Sequence, residues 1–424
     1  MSPPLWTGQE IAEATGGTLS ETFGPITGVC IDTRTLQPGD LFIALQGPNF
    51  DGHDFIEAAM KHGAAGVLSG RPCAAPHIEV DDTTAALTAL GAAARARFSG
   101  QVIAITGSVG KTTTRSLTAA AFGSFSRTHA TLGNLNNHLG VPLTLARLPR
   151  DAETAVIEMG MNHFGEIEAL SRLAQPHVAL ITAIDWVHSE NLDGTLEGVA
   201  KAKSEICAGL SGPLYAPASV KHLVEPHLSN QEVIWIDQPY AGPMALPGDA
   251  NRWNAALALA AVPKVQRSAA EAALGQVSAE PGRGDVLSLS IDGKAVTVFN
   301  DAYNAAPASM RAAIQNLMAQ TGGRRIAIVG YMAELANPEQ HHKNLGKFLA
   351  QASPDMVIAV GKFHSSILAP LPPSIGTAGW DSPDQVVPHL RPLLAQGDQI
   401  LVKASNSTNL ARVVADLQAA SDSS

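Results

Sequence analysis

The sequence predicts three α/β domains on largely parallel sheets, the middle one opening with a nucleotide-binding loop. Three observations predict it. Short apolar runs alternate with helical stretches along most of the chain, the rhythm of strand–helix units whose sheets are covered on both faces. A glycine loop, Gly107-Ser108-Val109-Gly110, stands between one such run and a helical stretch. Two clusters of breakers, Ser99-Gly100 and Pro281-Gly282-Arg283-Gly284, divide the chain into three parts. At roughly 150 residues per domain, a chain of 424 residues has room for about three cores.

The first domain is drawn at residues 1–98. Leu41–Leu45 reads as a short strand behind a Pro-Gly-Asp turn at Pro38–Asp40, and Ala64–Leu68 as a second. Phe55–His62 and the Ala-rich Thr83–Phe98 read as helices. The middle domain, 99–278, begins with the β-rich run Val102–Thr106, the glycine loop, and a helix from Lys111. That order opens a nucleotide-binding α/β domain. Ala155–Glu158 and His177–Ile184 repeat the strand pattern; Gly165–Ala174, Leu196–Leu210 and Asn251–Val262 read as helices. The third domain, 279–424, starts with two runs, Leu287–Ile291 and Ala295–Phe299, flanking Asp292-Gly293, a strong hairpin signal. Strands at Arg325–Val329, Met356–Val360 and Gln399–Val402 follow, with helices near Ala308, Glu339 and Ser407.

Composition narrows the partners. The formal charge of −10, with no run of Lys and Arg, argues against nucleic acid or an anionic membrane surface. No apolar run reaches the ~18 residues of a membrane span. The N-terminal segment lacks the basic and apolar regions of a signal peptide. Cys30, Cys73 and Cys207 are scattered and odd in number, which fits free thiols in a reducing compartment. A cytoplasmic protein is expected.

The chemistry begins at Thr106-Gly107-Ser108-Val109-Gly110-Lys111-Thr112-Thr113. Glycines let backbone N–H groups approach phosphate oxygens; Lys111 can reach the β- and γ-phosphates, and the Thr112 hydroxyl can ligate Mg²⁺. The common loop formula places a glycine where Ile105 stands, so this is a shortened form. A glycine-rich turn without ligand is the alternative. Farther on, Lys201 has Glu197 and Glu205 at four-residue spacing and reads as a solvated, ion-paired lysine. Lys203 has Val199, Ala200, Ile206 and Cys207 at helical spacing, so it falls on the inward stripe. A buried ammonium loses its proton easily, and a neutral amine can react with CO₂ to give a carbamate, a metal-binding carboxylate. A lysine snorkelling to the surface is the alternative.

The short loop is similar to that of the Mur ligase family and its folylpolyglutamate synthase relatives, and the likeness runs along the whole chain. Asp32-Thr33-Arg34 with Pro38-Gly39-Asp40-Leu41-Phe42 resembles a DSR…PGDLFxAL segment of the family's first domain, which the folylpolyglutamate synthases lack. Gly133-Asn134-Leu135-Asn136-Asn137 through Leu143 resembles GNxNNxxGxPL, and Glu158-Met159-Gly160-Met161-Asn162-His163 with Gly165-Glu166-Ile167 resembles EMGxNHxGEI. Both patterns mark the branch that adds a dipeptide. Ala202-Lys203-Ser204-Glu205 matches the AKxE context of the family's carbamylated lysine. Asn251 and Asn254 match the asparagines of HNxxN, with Ala250 in place of the histidine. Pro281-Gly282-Arg283 resembles the PGR segment, and Asp301 through Pro307 resembles DxYNANP, with Ala306 at its second asparagine. Tyr331 and Asn406 depart from GDMxEL and KGSR, in the region of the amine substrate.

The resemblance implies a three-domain architecture with a central P-loop domain and a C-terminal Rossmann-like domain. The first would bind a UDP-sugar, the second ATP, and the third the incoming amine. It implies ATP contacts from Gly107, Ser108, Val109, Gly110, Lys111, Thr112, Thr113, Asn251, Asn254, Arg283 and Asp301. Two Mg²⁺ ions would be held by Thr112, Glu158, His188 and Lys203, with Lys111, Lys203 and His188 catalytic. Thr33, Arg34, Asn134, Asn136, Asn137, Tyr303 and Asn304 would contact the other substrates. The implied reaction joins D-alanyl-D-alanine to UDP-N-acetylmuramoyl-tripeptide through an acyl phosphate, for peptidoglycan synthesis. The partners are then a UDP-linked muramoyl peptide and a dipeptide amine, bound by a monomer. Two other readings stay open: an accessory peptide ligase taking another amine, and a non-catalytic nucleotide-binding relative.

Overall fold

A computed structural model describes residues 4–421. It contains three sheets of five, six and six strands. In the first, Gly28–Cys30, Asp40–Ile43, Gly66–Ser69 and His77–Glu79 run parallel, and the two-residue strand Thr18–Leu19 adds antiparallel at one edge. Its core reaches across the breaker at Ser99-Gly100. Leu143 and Ala146 of the next domain pack with Leu41, Ile43, Leu87 and Leu90. Gly91 lets the helix Thr83–Arg97 touch the helix Gly140–Ala146, because a Cβ there would sit 2.9 Å from the Pro142 carbonyl oxygen. Trp6 Nε1 donates across the same seam to the Ala146 carbonyl at 2.8 Å.

The middle sheet is entirely parallel. Its order is Val233–Ile236, Leu214–Pro217, Val178–Ile181, Gln101–Thr106, Thr154–Glu158, Thr128–Ala130. Alternation builds two cores at once. Val102, Ala104, Ala155, Ile157, Ala179 and Ile181 face one cluster. Ile103, Ile105, Val156, Val178 and Leu180 face the other. Burying each such Val, Leu or Ile is worth roughly 1.5–3 kcal/mol. The strand Gln101–Thr106 is central, and its neighbours on either side come from later in the chain. Its carboxyl end is therefore a topological switch point, where such sheets bind ligands.

The third sheet pairs the hairpin strands Asp285–Ile291 and Lys294–Asp301, then adds Gln399–Lys403, Arg325–Gly330, Met356–Val360 and Gly376–Trp380 in parallel. The turn residues Asp292 (φ +50°) and Gly293 (φ +73°) both take left-handed backbone, as a two-residue hairpin requires. Ile326, Ile358 and Ile400 face one side, and Ala327, Val357 and Leu401 the other.

Two expectations need correction. The stretch Leu196–Leu210 is not one helix: an α-helix, Leu196–Ser204, passes into a 3₁₀ segment, Glu205–Gly209. The Glu205 carboxylate is drawn away, accepting the N–H groups of Gly165 at 2.8 Å and Glu168 at 3.3 Å at the start of the helix Glu166–Ala174. Lys201 consequently has no ion pair with it and lies instead 5.1 Å from the centre of the Phe164 ring. Among the described residues, no helix is long and apolar enough to cross a membrane.

Candidate nucleotide and ligation site

The glycine loop is bound tightly on its strand side. Ser108 N–H donates to the Ala183 carbonyl, and Thr182 Oγ1 donates to the Val109 carbonyl at 2.6 Å. Gly107 has φ +149°, and a Cβ there would lie 1.9 Å from Thr182 Oγ1. Gly110 has φ +84°, and a Cβ would meet Asn254 Oδ1 at 2.5 Å. Only glycine fits either place. The helix Lys111–Gly123 begins immediately after, and its first N–H groups and dipole favour an anion. Lys111 Nζ folds back over the loop and donates to the Gly107 carbonyl at 2.7 Å. Burial pushes its ammonium below the ordinary lysine value; Glu158 and Glu334 push it back up, and Arg283 pushes it down.

Glu158 ends its strand with almost no exposure (1%) and is the hub of the polar network. Its Oε1 accepts from Asn136 Nδ2 at 2.8 Å and Thr112 Oγ1 at 3.3 Å; its Oε2 lies 3.4 Å from Arg115 Nη1. Arg115 is itself buried, donates to the Gly133 carbonyl at 2.6 Å, and pairs with Glu280. One guanidinium thus holds Glu158, the Gly133–Asn137 segment and the lead-in to the third domain.

Lys203 is 1% exposed, so it does not snorkel to the surface. Burial pushes its ammonium well below the ordinary lysine value, and the charge of Lys111 adds to the shift. His188 stands in left-handed backbone (φ +65°), with Nδ1 2.9 Å from Glu334 Oε2. The contact is close but not an aligned hydrogen bond, and it becomes an ion pair only when the imidazole is protonated. Burial lowers the His188 pKa, Glu334 raises it, and Lys203 and Lys111 lower it further. Lys111, Lys203, His188, Glu158 and Glu334 thus form one electrostatic group.

From the third domain, the Arg283 guanidinium lies 4.0 Å from the centre of the Tyr303 ring. Asp301 Oδ2 accepts from Lys403 Nζ at 2.7 Å, and the same amine donates to the Asn304 carbonyl at 2.9 Å. Burial raises the Asp301 pKa against the pull of Lys403. Between the domains runs a narrow crevice lined by Thr112, Thr113, Asn251, Glu280 and Arg283. Asn254 Nδ2 donates to Asn251 Oδ1 at 3.3 Å, so these two asparagines stand together at its edge.

The remaining residues are more scattered. Asn137 Oδ1 accepts the N–H groups of Leu139 and Gly140, a local turn that starts the next helix. Asn134 is exposed. Arg34 makes a two-pronged pair with Asp32 on the surface of the first domain, and Thr33 lies beside it. Asn304 Oδ1 accepts the Ala305 N–H at 2.8 Å. Sequence reasoning missed Arg115, Glu280 and Glu334 as site residues. Glu334 lies in a motif already quoted, and Arg115 follows Lys111 at helical spacing, so both had a signal. Glu280 had none.

Among the described residues no three His, Cys, Asp or Glu side chains cluster to hold a metal unaided. A divalent cation here would rest on Thr112, Glu158 and phosphate oxygens, the sparse protein ligation usual for Mg²⁺. The donor set fits that use, and a carbamate on Lys203 would add a second carboxylate.

A parallel-sheet domain with a phosphate loop, set between two further α/β domains and carrying an internal carboxylate–lysine group, defines a nucleotide-dependent enzyme. Models for the Mur ligase family match in three places: its catalytic domain at 25–120, its middle domain at 105–218, and its glutamate ligase domain at 282–406. The chain belongs to the Mur ligase family. It is 35% identical to the UDP-N-acetylmuramoyl-tripeptide–D-alanyl-D-alanine ligases of Bacillus subtilis and Escherichia coli, over 96% of this chain and 97% of each relative. A crystal structure of MurF from Acinetobacter baumannii superposes with a TM-score of 0.82 at 30% identity, covering 98% of this chain and 99% of that one.

Proposed function

We propose that this protein is an ATP-dependent, ADP-forming ligase that joins D-alanyl-D-alanine to UDP-N-acetylmuramoyl-tripeptide. Full-length similarity to ligases of that name supports the substrates. The observation that carries the chemistry is the Glu158 hub beside the glycine loop, with Lys111 and the buried Lys203 close enough to feel each other's charge. We assign residues 1–98 to the UDP-sugar, 99–278 to ATP and 279–424 to the amine.

In this reading the loop N–H groups and Lys111 hold the β- and γ-phosphates and offset charge as it develops. A carboxylate oxygen of the tripeptide attacks the γ-phosphorus, the bond to ADP breaks, and an acyl phosphate forms. The dipeptide amine then attacks the acyl carbon, phosphate leaves, and the nitrogen loses a proton. Mg²⁺ bound at Thr112 and Glu158 would supply Lewis-acid neutralisation of the transferring phosphoryl group. Arg115 and Asn136 keep the Glu158 carboxylate in place. Closure of the third domain brings Arg283 to the nucleotide and excludes water that would hydrolyse the acyl phosphate.

The deciding experiment is phosphate release from ATP with the UDP-tripeptide, with and without D-alanyl-D-alanine. Release requiring both substrates, with pentapeptide formed, supports the proposal. Release coupled to a different amine would replace the dipeptide as substrate. ATP binding without release under any amine would reject catalysis.

A further inference from the structure

Asp185 belongs to the middle domain, and none of the roles above uses it. It is 6% exposed. Its backbone is tied twice to the glycine loop: its N–H donates to Ser108 Oγ at 2.9 Å, and its carbonyl accepts the Ser108 hydroxyl at 3.0 Å. Its carboxylate crosses to the third domain, where Oδ2 accepts the N–H of Ala308 at 2.8 Å.

Ala308 is the second residue of the helix Pro307–Met318, and the residue at the cap position is Ala306. A helix start leaves N–H groups that need an acceptor, normally the side chain of the cap residue, bonding the second or third helical N–H. Alanine has no such acceptor. Asp185 supplies it across 123 positions of sequence.

We propose that Asp185 is a positioning residue that caps this helix from the nucleotide loop and so fixes the seat of the third domain over the site. It rests on the reading that ligation needs both domains around the nucleotide. When the domains part, the helix start loses its acceptor, so the tie favours the closed arrangement. It acts only on the closed state and therefore shifts the balance between closed and open. The rest of the same strip adds to it: Ser189 Oγ accepts the Ala336 N–H at 3.0 Å, and the Trp186 ring packs 5.1 Å from the His341 ring. Loss of Asp185 alone should weaken closure rather than abolish it.

The test compares Asp185→Ala, Asp185→Asn and the double variant Asp185→Ala/Ala306→Ser in the full chain. The readouts are kcat, the Kd for ATP, the melting temperature and the radius of gyration by small-angle scattering. Asp185→Ala should lower kcat about tenfold, the size of one charge-assisted hydrogen bond. It should weaken ATP binding by no more than it lowers kcat, because nucleotide affinity and closure are linked, and it should enlarge the radius. Asp185→Asn keeps an acceptor oxygen at the same reach and should restore most of both. Ala306→Ser gives the helix a local cap, so it should recover melting temperature but neither kcat nor radius. Recovery of all three by the serine would mean that Asp185 only stabilises a helix, and would overturn the proposal; so would an Asp185→Ala protein with unchanged kcat and radius. Should Asp185→Ala fail to fold, Asp185→Ser takes its place, being too short to reach Ala308; equal behaviour of the Ser and Asn variants overturns the proposal. An inactive wild type would reject the ligase reading, while radius and ATP affinity would still decide the role of Asp185.

Discussion

Replacing Lys203 by Met should stabilise the protein, by an amount that depends on pH. Burial pushes the Lys203 ammonium well below the ordinary lysine value. In the unfolded chain the same amine titrates near ~10.4. Between those two values the unfolded state holds the extra proton. The stability of the wild type therefore rises with pH across that window, by about 1.4 kcal/mol per unit. Below the folded value both states are protonated, and the whole penalty is present. Methionine has similar length, no charge to desolvate, and enough flexibility to fill the space. Its advantage should be greatest at the low end and shrink as pH rises towards the ordinary lysine value. Lys111 is also depressed by burial, but it is present in both chains and largely cancels from the difference. The assay is urea unfolding of both proteins at pH 7, 8 and 9, without Mg²⁺ and with CO₂ removed. The stability difference should fall by about 1.4 kcal/mol for each pH unit over which the folded amine is neutral. Added bicarbonate should close part of the gap, because a carbamate at this place is an anion beside Lys111. A difference independent of pH, or a variant less stable than wild type throughout, would refute the reasoning.

Lys111→Ala should lower kcat by at least about 10²–10³, as loss of a group that offsets transition-state charge does, with an unchanged circular dichroism spectrum; near-normal turnover would remove Lys111 from the chemistry. Lys203→Ala should be inactive yet partly rescued by formate or acetate, which can stand in for the carbamate carboxylate; absence of rescue at saturating Mg²⁺ counts against the carbamate. Lys403→Met leaves Asp301 without its partner and should cost about 3–5 kcal/mol. The Asp301 pKa is already raised by burial, so the loss should be larger at pH 8 than at pH 5, which urea unfolding at both values would check. Gly293→Ala should cost about 1–2 kcal/mol from left-handed backbone alone, since a Cβ there meets nothing within 4 Å; a larger loss in midpoint would mean a contact has been overlooked.

The central strands were legible because both their faces are buried. Val102–Thr106, Met356–Val360 and Gln399–Val402 read as continuous apolar runs and became inner strands. Several strands were not legible: the edge strands Thr128–Ala130, Val233–Ile236 and Gly376–Trp380 were missed, and so were the short inner strands His77–Glu79 and Leu214–Pro217, whereas the edge strand Asp285–Ile291 was betrayed by its hairpin turn. An edge strand has one neighbour and weaker burial, and Gly376-Thr377-Ala378-Gly379-Trp380 carries two glycines that read as a turn. The site divided in the same manner. Gly107, Gly110, Lys111 and Thr112 are adjacent in sequence and obey a local rule. The inward aim of Lys203 followed from helical spacing. Asp185 was invisible because its role depends on Ala308, which only tertiary structure brings near.

The charges around the loop explain why this site calls for a polyanion rather than merely tolerating one. Lys111 and Lys203 are both pushed towards the neutral form, and His188 is lowered by burial and by both of them. The carboxylates do not balance these cations freely, because each already has partners. Glu158 is held by Asn136, Thr112 and Arg115, while Glu334 faces His188. A phosphate chain entering at the helix start would let Lys111 keep its proton and would strengthen every attraction in a region of low dielectric. The same anions would draw Arg283 and the third domain inwards. Affinity for nucleotide and closure of the third domain then share one electrostatic origin, and residues that join the loop to that domain become the natural place for the two events to be coupled.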